Sequence, residues 1–336
     1  MSDFRIESAS SLDEPSVASV LALIDRAADA DGVEAISEAF RLALGSPRAS
    51  VTHFVAYAAE SPSEGLLGYA AVDTSGSAEL VVDPPARRQG VGRALLRAVF
   101  DGDSRADFVP DWDTSRRPKA SVDVSQSGTK SRQVAVGVWA HGNLPAAQAL
   151  AASAGLVSTR ELHVMARAVV SGDVVDPVLP EGFSVRAFEP GRDEQAWLEV
   201  NGLAFASHPE QGSITLADLR DRMAQDWFDP AGFLLVEDTT VTESDGQHPL
   251  AAFHWTKREP GSTTGEVYVV GVHPAYQGKG LAGPLTGLGT AYLARQGVEK
   301  IELYVDGDNT RALATYRRAG FEDAAIHVVY GRPDAP

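Results

Sequence analysis

Two glycine-rich runs carry the chemistry most directly readable in this sequence. Leu80, Val81 and Val82 lead into Arg87, Arg88, Gln89, Gly90, Val91, Gly92 and Arg93. Val270, Gly271 and Val272 lead into Gln277, Gly278, Lys279, Gly280, Leu281, Ala282 and Gly283. In each run a strand-like apolar segment meets a turn where glycine lets the backbone approach a ligand, and a helical pattern follows. A helix start offers unpaired N–H groups and the positive end of the helix dipole, so such a turn suits an anion, with pyrophosphate the natural occupant. The alternative is a plain strand-to-helix turn. Two other phosphate motifs do not fit. A P-loop needs Ser or Thr after Gly-Lys, whereas Gly280 follows Lys279, and a Rossmann fingerprint needs three glycines opening a βαβ unit.

Near the second run stand two groups able to move protons. Glu266, on the segment entering the turn, could take a proton from an amine of pKa near ~8, directly or through a water, and partial burial would raise its own pKa. Strand alternation puts it on one face with Tyr268, Val270 and Val272. Tyr316 follows Asn309 by two helical turns and so lies on nearly the same helix face. A phenol near ~10 could protonate a leaving thiolate near ~8.5 only if well positioned. The Val270 backbone N–H is the candidate oxyanion donor. A solvated carboxylate at a strand start and a core tyrosine are the competing readings.

The elements that must hold these groups occur twice. An offset of 190 residues sets Pro84 on Pro274, Arg87 on Gln277, Gly90 on Gly280 and Gly92 on Ala282. Downstream, Ser153-Ala154-Gly155-Leu156 echoes Arg318-Ala319-Gly320-Phe321 at a shorter offset, so the first copy carries an insertion. The polar stretch 102–133 supplies it and reads as a flexible loop. The second copy predicts strands at 183–186, 232–237, 250–256, 266–272 and 301–305. Helices are expected at 193–203 and 215–226, from the glycine turn to Gly297, and from an Asp308 or Asn309 cap to Gly320. This order predicts an α/β (α+β) fold with a mixed central sheet flanked by helices, used twice: residues 1–170, a linker at 171–182, and 183–336. By the same offset Glu266 falls on Gly76, Glu79 falls on Val269 on the opposite strand face, and Leu150 or Ala151 stands where Tyr316 should be. Asn143 is placed like Asn309. The first copy therefore keeps a phosphate turn without the proton-transfer groups.

Composition narrows the alternatives. The chain has 336 residues, 44% hydrophobic and 22% charged, which is a globular profile. A net charge of −17 argues against holding nucleic-acid phosphates or an anionic membrane. No run approaches the roughly 18 apolar residues of a membrane span. The start Met1-Ser2-Asp3 predicts no secretory signal, and a cytoplasmic location is expected. There are no cysteines, and the eight histidines lack metal-site spacing, so no metal is expected.

The paired turns resemble the phosphate-binding signature of the GNAT acetyltransferase superfamily, Q/R-x-x-G-x-G/A after a strand. The resemblance extends over nearly the whole chain to the mycothiol synthase family of tandem GNAT proteins. It is carried by His208-Pro209-Glu210-Gln211-Gly212, His254-Trp255-Thr256-Lys257, the run Gly265 to Val272, Leu303-Tyr304-Val305 with Asp308-Asn309 and, more weakly, Asp31-Gly32-Val33. The long 102–133 insertion departs from it. The resemblance implies acetyl-CoA as co-substrate, its pyrophosphate on the turns and its pantetheine arm along Leu80–Val82 and Val270–Val272. Asn309, Thr310, Arg311, Ala312, Leu313 and Ala314 would lie beside it. It further implies Glu266 as base, Tyr316 as acid, and an amino-sugar–inositol acceptor bound by Glu38, Glu210, Lys257, Glu266 and Tyr304. His254 and Trp255 read as packing groups, and His208 has no role. A monomer is expected, since a fused pair already resembles a GNAT dimer. Two alternatives are a tandem GNAT acting on another amine, such as an aminoglycoside or a protein N-terminus, and a non-catalytic acyl-CoA sensor.

Overall fold

The computed structural model describes residues 4–45, 50–58, 65–101, 135–206, 211–244 and 246–333. The chain divides into two compact units, Met1–Arg160 with His327–Pro336, and Glu161–Ile326. These are not the contiguous copies 1–170 and 183–336. The segment 171–182, expected as a linker, belongs to the second unit, and the 102–133 insertion lies outside the described residues.

The first unit runs β1 (Phe4–Ala9), α1 (Glu14–Asp31), α2 (Glu38–Leu44), β2 (Val51–Ala58), β3 (Leu66–Asp73), β4 (Ser77–Val82), α3 (Val91–Asp101), β5 (Gly137–Ala140) and α4 (Pro145–Ser153). The Asp13 carboxylate caps α1 by accepting from the Ser16 N–H, and Gly32 ends it at φ 69. Its stripe Val20, Leu23, Ile24 and Ala27 is fully buried against Val55, Tyr69, Ala71 and Val81 of the sheet. On the other face, Val91, Leu95, Leu96 and Val99 of α3 pack on Phe54 and Ala70. β1 to β4 are antiparallel neighbours. β4 and β5 are parallel, pairing only at Ser77–Gly137 and Ala78–Val138, so Glu79–Val82 run on without a β5 partner.

The second unit contains the end of β6 (Val157–Ala168), then β7 (Phe183–Ala187), α5 (Glu194–Ala204), α6 (Leu216–Met223), β8 (Phe233–Asp238), β9 (Leu250–Lys257), β10 (Thr264–Val272), α7 (Ala282–Arg295), β11 (Lys300–Asp306) and α8 (Thr310–Arg318). Its sheet order is β6-β11-β10-β9-β8-β7. Under α5 and α6, Trp197, Phe233, Phe253 and Trp255 form a closed aromatic cluster with ring centroids 4.3 to 5.6 Å apart. Burying each ring stabilises the unit by roughly 2–3 kcal/mol. α7 covers the other face through Leu281, Leu285 and Leu288.

The division of the chain has a concrete origin. The strand next to β5 in the first unit is the C-terminal part of β12 (Glu322–Gly331), paired at Val328–Ala140, Val329–Trp139 and Tyr330–Val138. The strand next to β11 in the second unit is β6, paired from Lys300–Ala168 to Asp306–Leu162. Each copy's sheet is thus completed by the last strand of the other copy.

Candidate active site

Two features of β10 create the site. First, its parallel ladder with β11 stops at Val267–Leu303, although both strands continue. The strands part there and leave the β11-facing side of 268–272 open to another extended group. Second, the register with β9 shifts between Val267 and Val269. At this bulge the alternation of faces breaks. Val267 packs with Leu293 and Leu303 on the α7 face, whereas Tyr268 and Val269 both join the aromatic cluster under α5 and α6. Val270 and Val272 return to the α7 face. Gly265 faces Leu293, which puts Glu266 on the α5/α6 side with Tyr268. The expectation that Glu266 shares a face with Val270 and Val272 is therefore corrected; uninterrupted alternation misses a bulge.

Register also supplies Glu266 with neighbours. Lys257 lies directly opposite on β9, and Glu302 is its partner on β11. The Lys257 ammonium stands 4.8 Å from the Trp227 ring centre and 5.6 Å from that of Tyr268, and pairs with Glu259 at 3.0 Å. Arg222 Nε donates to the Tyr268 hydroxyl at 3.0 Å. Glu302 pairs with Lys300 at 3.0 Å. Tyr304, two residues on, is 44% exposed on the same face. Trp227, Arg222 and Glu302 carry no signature in sequence; strand register sets Glu302 beside Glu266, and Arg222 and Trp227 join through Tyr268. Glu210 lies outside the described residues, and Glu38 opens α2 in the first unit behind its Ser37 cap.

The second turn has the shape an anion needs. Gly278 and Gly280 sit at φ 81 and 80, and a Cβ built on Gly278 or Gly283 meets nothing within 4 Å. Leu281 is buried and anchors the start of α7, with Ala282 and Gly283 in its first turn. Gln277 follows the tight turn Pro274–Tyr276, and Lys279 Nζ lies 4.4 Å from the Tyr276 ring centre. Space over exposed N–H groups fits a pyrophosphate.

Tyr316 is buried on the opposite, α7-side face of the sheet. It lies on α8 in the cluster of Val267, Leu303, Val305, Leu313 and Phe321, against which Val270 packs, and burial pushes its phenol up to about 12. Asn309 caps α8, its Oδ1 accepting from Ala312 N–H at 3.1 Å. Thr310, Arg311 and Ala314 surround the buried Leu313 in the first turns. Glu266 and Tyr316 thus lie on opposite faces of the sheet.

The first unit keeps the turn and closes the rest. Arg88 and Gly90 have φ 64 and 92, and nothing lies within 4 Å of a Cβ at Gly90. Val91, Gly92 and Arg93 open α3, while Gln89 donates to the Pro85 carbonyl at 3.1 Å. Arg87 is held by Asp31 in a bidentate pair at 2.7 and 2.8 Å and by the Val82 carbonyl. Gly76, the counterpart of Glu266, lies in the β3–β4 turn at φ 86. Glu79 is 2% exposed, accepts from Ser37 N–H at 2.7 Å and contacts His141 Nε2 at 3.0 Å. With no bulge in β4, and Glu79 facing the start of α2, it takes the face of Glu266 rather than the opposite one. Asn143 does not cap a helix: at φ 44, its Oδ1 accepts from the Tyr330 hydroxyl at 2.8 Å, and Leu144 is the cap of α4.

Strands that part beside a glycine turn feeding a helix, once in each unit, define a GNAT-type acetyltransferase fold. Residues 197–321 match the acetyltransferase (GNAT) family model. Among solved structures, a GCN5-related N-acetyltransferase from Sphaerobacter thermophilus superposes with TM-score 0.61 at 24% identity, covering 97% of this chain and 95% of that one. A tandem GNAT protein from the clavulanic acid biosynthesis pathway gives TM-score 0.62 at 16% identity, covering 99% and 100%. The sequence carries the assignment further. A mycothiol acetyltransferase of Streptomyces scabiei is 42% identical over 332 residues, covering 97% of this chain and 94% of the relative. One of Cellulomonas flavigena is 45% identical over 319 residues, covering 91% and 82%. The chain belongs to the mycothiol acetyltransferase family and is an acyl-CoA-dependent N-acetyltransferase.

Proposed function

We propose that this chain moves the acetyl group of acetyl-CoA to the cysteinyl amine of a cysteine–glucosamine–inositol conjugate, the closing step of mycothiol synthesis, and that the second unit does the chemistry. The observation that supports this reading is the bulge beside the parting strands, with Glu266 on one face of the sheet just before it and Tyr316 buried on the other. Glu266 takes the proton of the attacking amine. The Val270 N–H donates to the developing oxyanion, and Tyr316 protonates the departing thiolate. A phenol pushed up to about 12 stays protonated throughout the neutral range, as an acid must.

Acetyl-CoA is held by the N–H groups from Gln277 to Gly283, with its arm along Val270–Val272 and beside Asn309–Ala314. Lys257, Tyr304, Glu210 and Glu266 bind the acceptor. A sugar–inositol acceptor is mostly hydroxyls with one ammonium, which suits carboxylates and a largely buried lysine. The first unit binds acetyl-CoA at Leu80–Val82 and Arg87–Arg93 without turning it over, its Glu79 being engaged by Ser37 and His141. The protein acts as a cytoplasmic monomer without a metal. The test follows CoA thiol release with the conjugate against a panel of other amines, aminoglycosides and peptide N-termini included. A preference of at least about a hundredfold in kcat/KM for the conjugate is expected; equal rates across the panel overturn the acceptor assignment.

A further inference from the structure

His254 stands in the segment His254-Trp255-Thr256-Lys257, of which only Lys257 has so far a part in the reaction. Its side chain is fully buried. On β9 it lies directly opposite Val270 of β10, and partners directly opposite in an antiparallel pair project to the same face. On that face Nδ1 contacts the carbonyl of Leu285 at 2.8 Å. A carbonyl only accepts, so Nδ1 carries the proton and donates. Leu285 is the fourth residue of α7, one turn beyond Gly280. The imidazole also lies flush against the helix: a Cβ at Gly289 would come within 2.0 Å of the ring. Only glycine lets α7 approach so closely. Nε2 is buried and has no hydrogen-bond partner among the described residues.

One neutral ring therefore joins the two parts of the ligand cradle, the strand that carries the Val270 N–H and the first turn of the helix that receives the pyrophosphate. Those parts must hold opposite ends of one ligand at a fixed separation, and displacements of about 1 Å can cost about 10²-fold in rate. We propose that His254 is a positioning residue that sets the height of the α7 N-terminus relative to Val270, so that the pyrophosphate and the acyl carbonyl are seated together. Burial lowers its pKa to about 4, against the opposing hydrogen bond to Leu285, so the ring keeps this tautomer through the working range. The role rests on the reading that acetyl-CoA occupies the second unit's turn with Val270 at the oxyanion.

The test compares His254→Asn, whose amide nitrogen can reproduce the Nδ1 donor, with His254→Leu, of nearly the same size but without a donor. The readouts are the KM of acetyl-CoA, the calorimetric Kd of CoA, kcat and the KM of the amine. The Leu variant is expected to raise the acetyl-CoA KM and CoA Kd about tenfold and lower kcat by a similar factor, with the amine KM within about twofold. The Asn variant is expected to return these values to within about threefold of wild type. Equal losses in both variants, or a Leu variant that loses thermal stability while Kd and kcat stay within about twofold, overturn the proposal. If the Leu variant does not fold, the Asn variant decides, since a loss of about tenfold or more despite the retained donor refutes the role. Glu266→Gln in the same series separates the two readings: it should lose kcat and keep CoA affinity. Full kcat in that variant refutes the assignment of chemistry to this site, whereas the CoA affinities of the His254 variants still test the positioning.

Discussion

Arg88 and Gly90 in the first unit, and Gly278 and Gly280 in the second, adopt positive φ in the same order 190 residues apart. Both turns begin with a Pro-led 3₁₀ turn, and both follow a strand that parts from its parallel neighbour. What differs is the wall around them. In the second unit β10 has nine residues and a bulge, and Glu266 sits before that bulge between Lys257 and Glu302. In the first, β4 has six residues, the position of Glu266 has become a hairpin turn, and the carboxylate on that face is tied to a helix start. A glycine turn can thus be copied with its backbone, while the carboxylate beside it depends on a few residues of strand length and one bulge.

The sharpest way to break this comparison is to remove the two carboxylates in turn. Glu266→Ala should lower kcat by about 10²–10⁴-fold, whereas Glu79→Gln should leave kcat within about twofold. Equal losses would show that the first unit takes part in the chemistry. Tyr316→Phe should cost about 10–10²-fold in kcat. With the phenol near 12, the wild-type pH–rate profile should have no alkaline limb from Tyr316 below about pH 10. A limb that vanishes in the Phe variant would mean the phenol is far less buried than its packing indicates.

Acid should expose one histidine in each unit. Burial brings His254 of the second unit to about 4; burial and then the charge of His141 bring His327 of the first to about 4. The folded pKa of each lies below the unfolded value near ~6.5, so between these values the unfolded chain binds more protons. Stability from each group is therefore complete above about pH 6.5 and is lost as pH falls towards 4. His327 Nδ1 accepts from Gly142 N–H at 2.7 Å, a bond that protonation abolishes. Denaturant titrations from pH 7 to 4 should show His254→Asn and His327→Asn each flattening the acid slope, by an amount on the order of 2–3 kcal/mol. An unchanged slope in one variant would place that histidine's proton affinity near the ordinary value.

Smaller effects test the first unit's closure. Glu79→Gln should destabilise that unit by about 1–3 kcal/mol, because Ser37 N–H and His141 lose a charged acceptor in a buried place. Arg88→Gly relieves a left-handed non-glycine residue but adds freedom to the unfolded chain, so the net change should be within about 0.5 kcal/mol. A gain well beyond that would mean Arg88 is strained for a purpose at the turn.

Local patterns determined much of this in advance. The strands and helices of the second copy, the Asn309 cap, Gly297 and Gly320 after their helices, and the two turns follow from periodicity, capping chemistry and backbone freedom, all of which act within a few residues. The resemblance carried by short runs such as Gly265–Val272 fixed the family. What the tertiary structure decided is long-range. The exchange of last strands was invisible because β6 and β12 are ordinary strands in sequence, and nothing local specifies the neighbour they complete. The bulge was invisible because it arises from pairing with β9 rather than from a residue type, and it alone moved Glu266 away from the face of Val270 and put Glu79 on the face of Glu266. Lys257, Glu302 and His254 gained their places from strand register, a property of two segments at once. Residue types state which protons can move; the pairing of strands decides which groups stand close enough to move them.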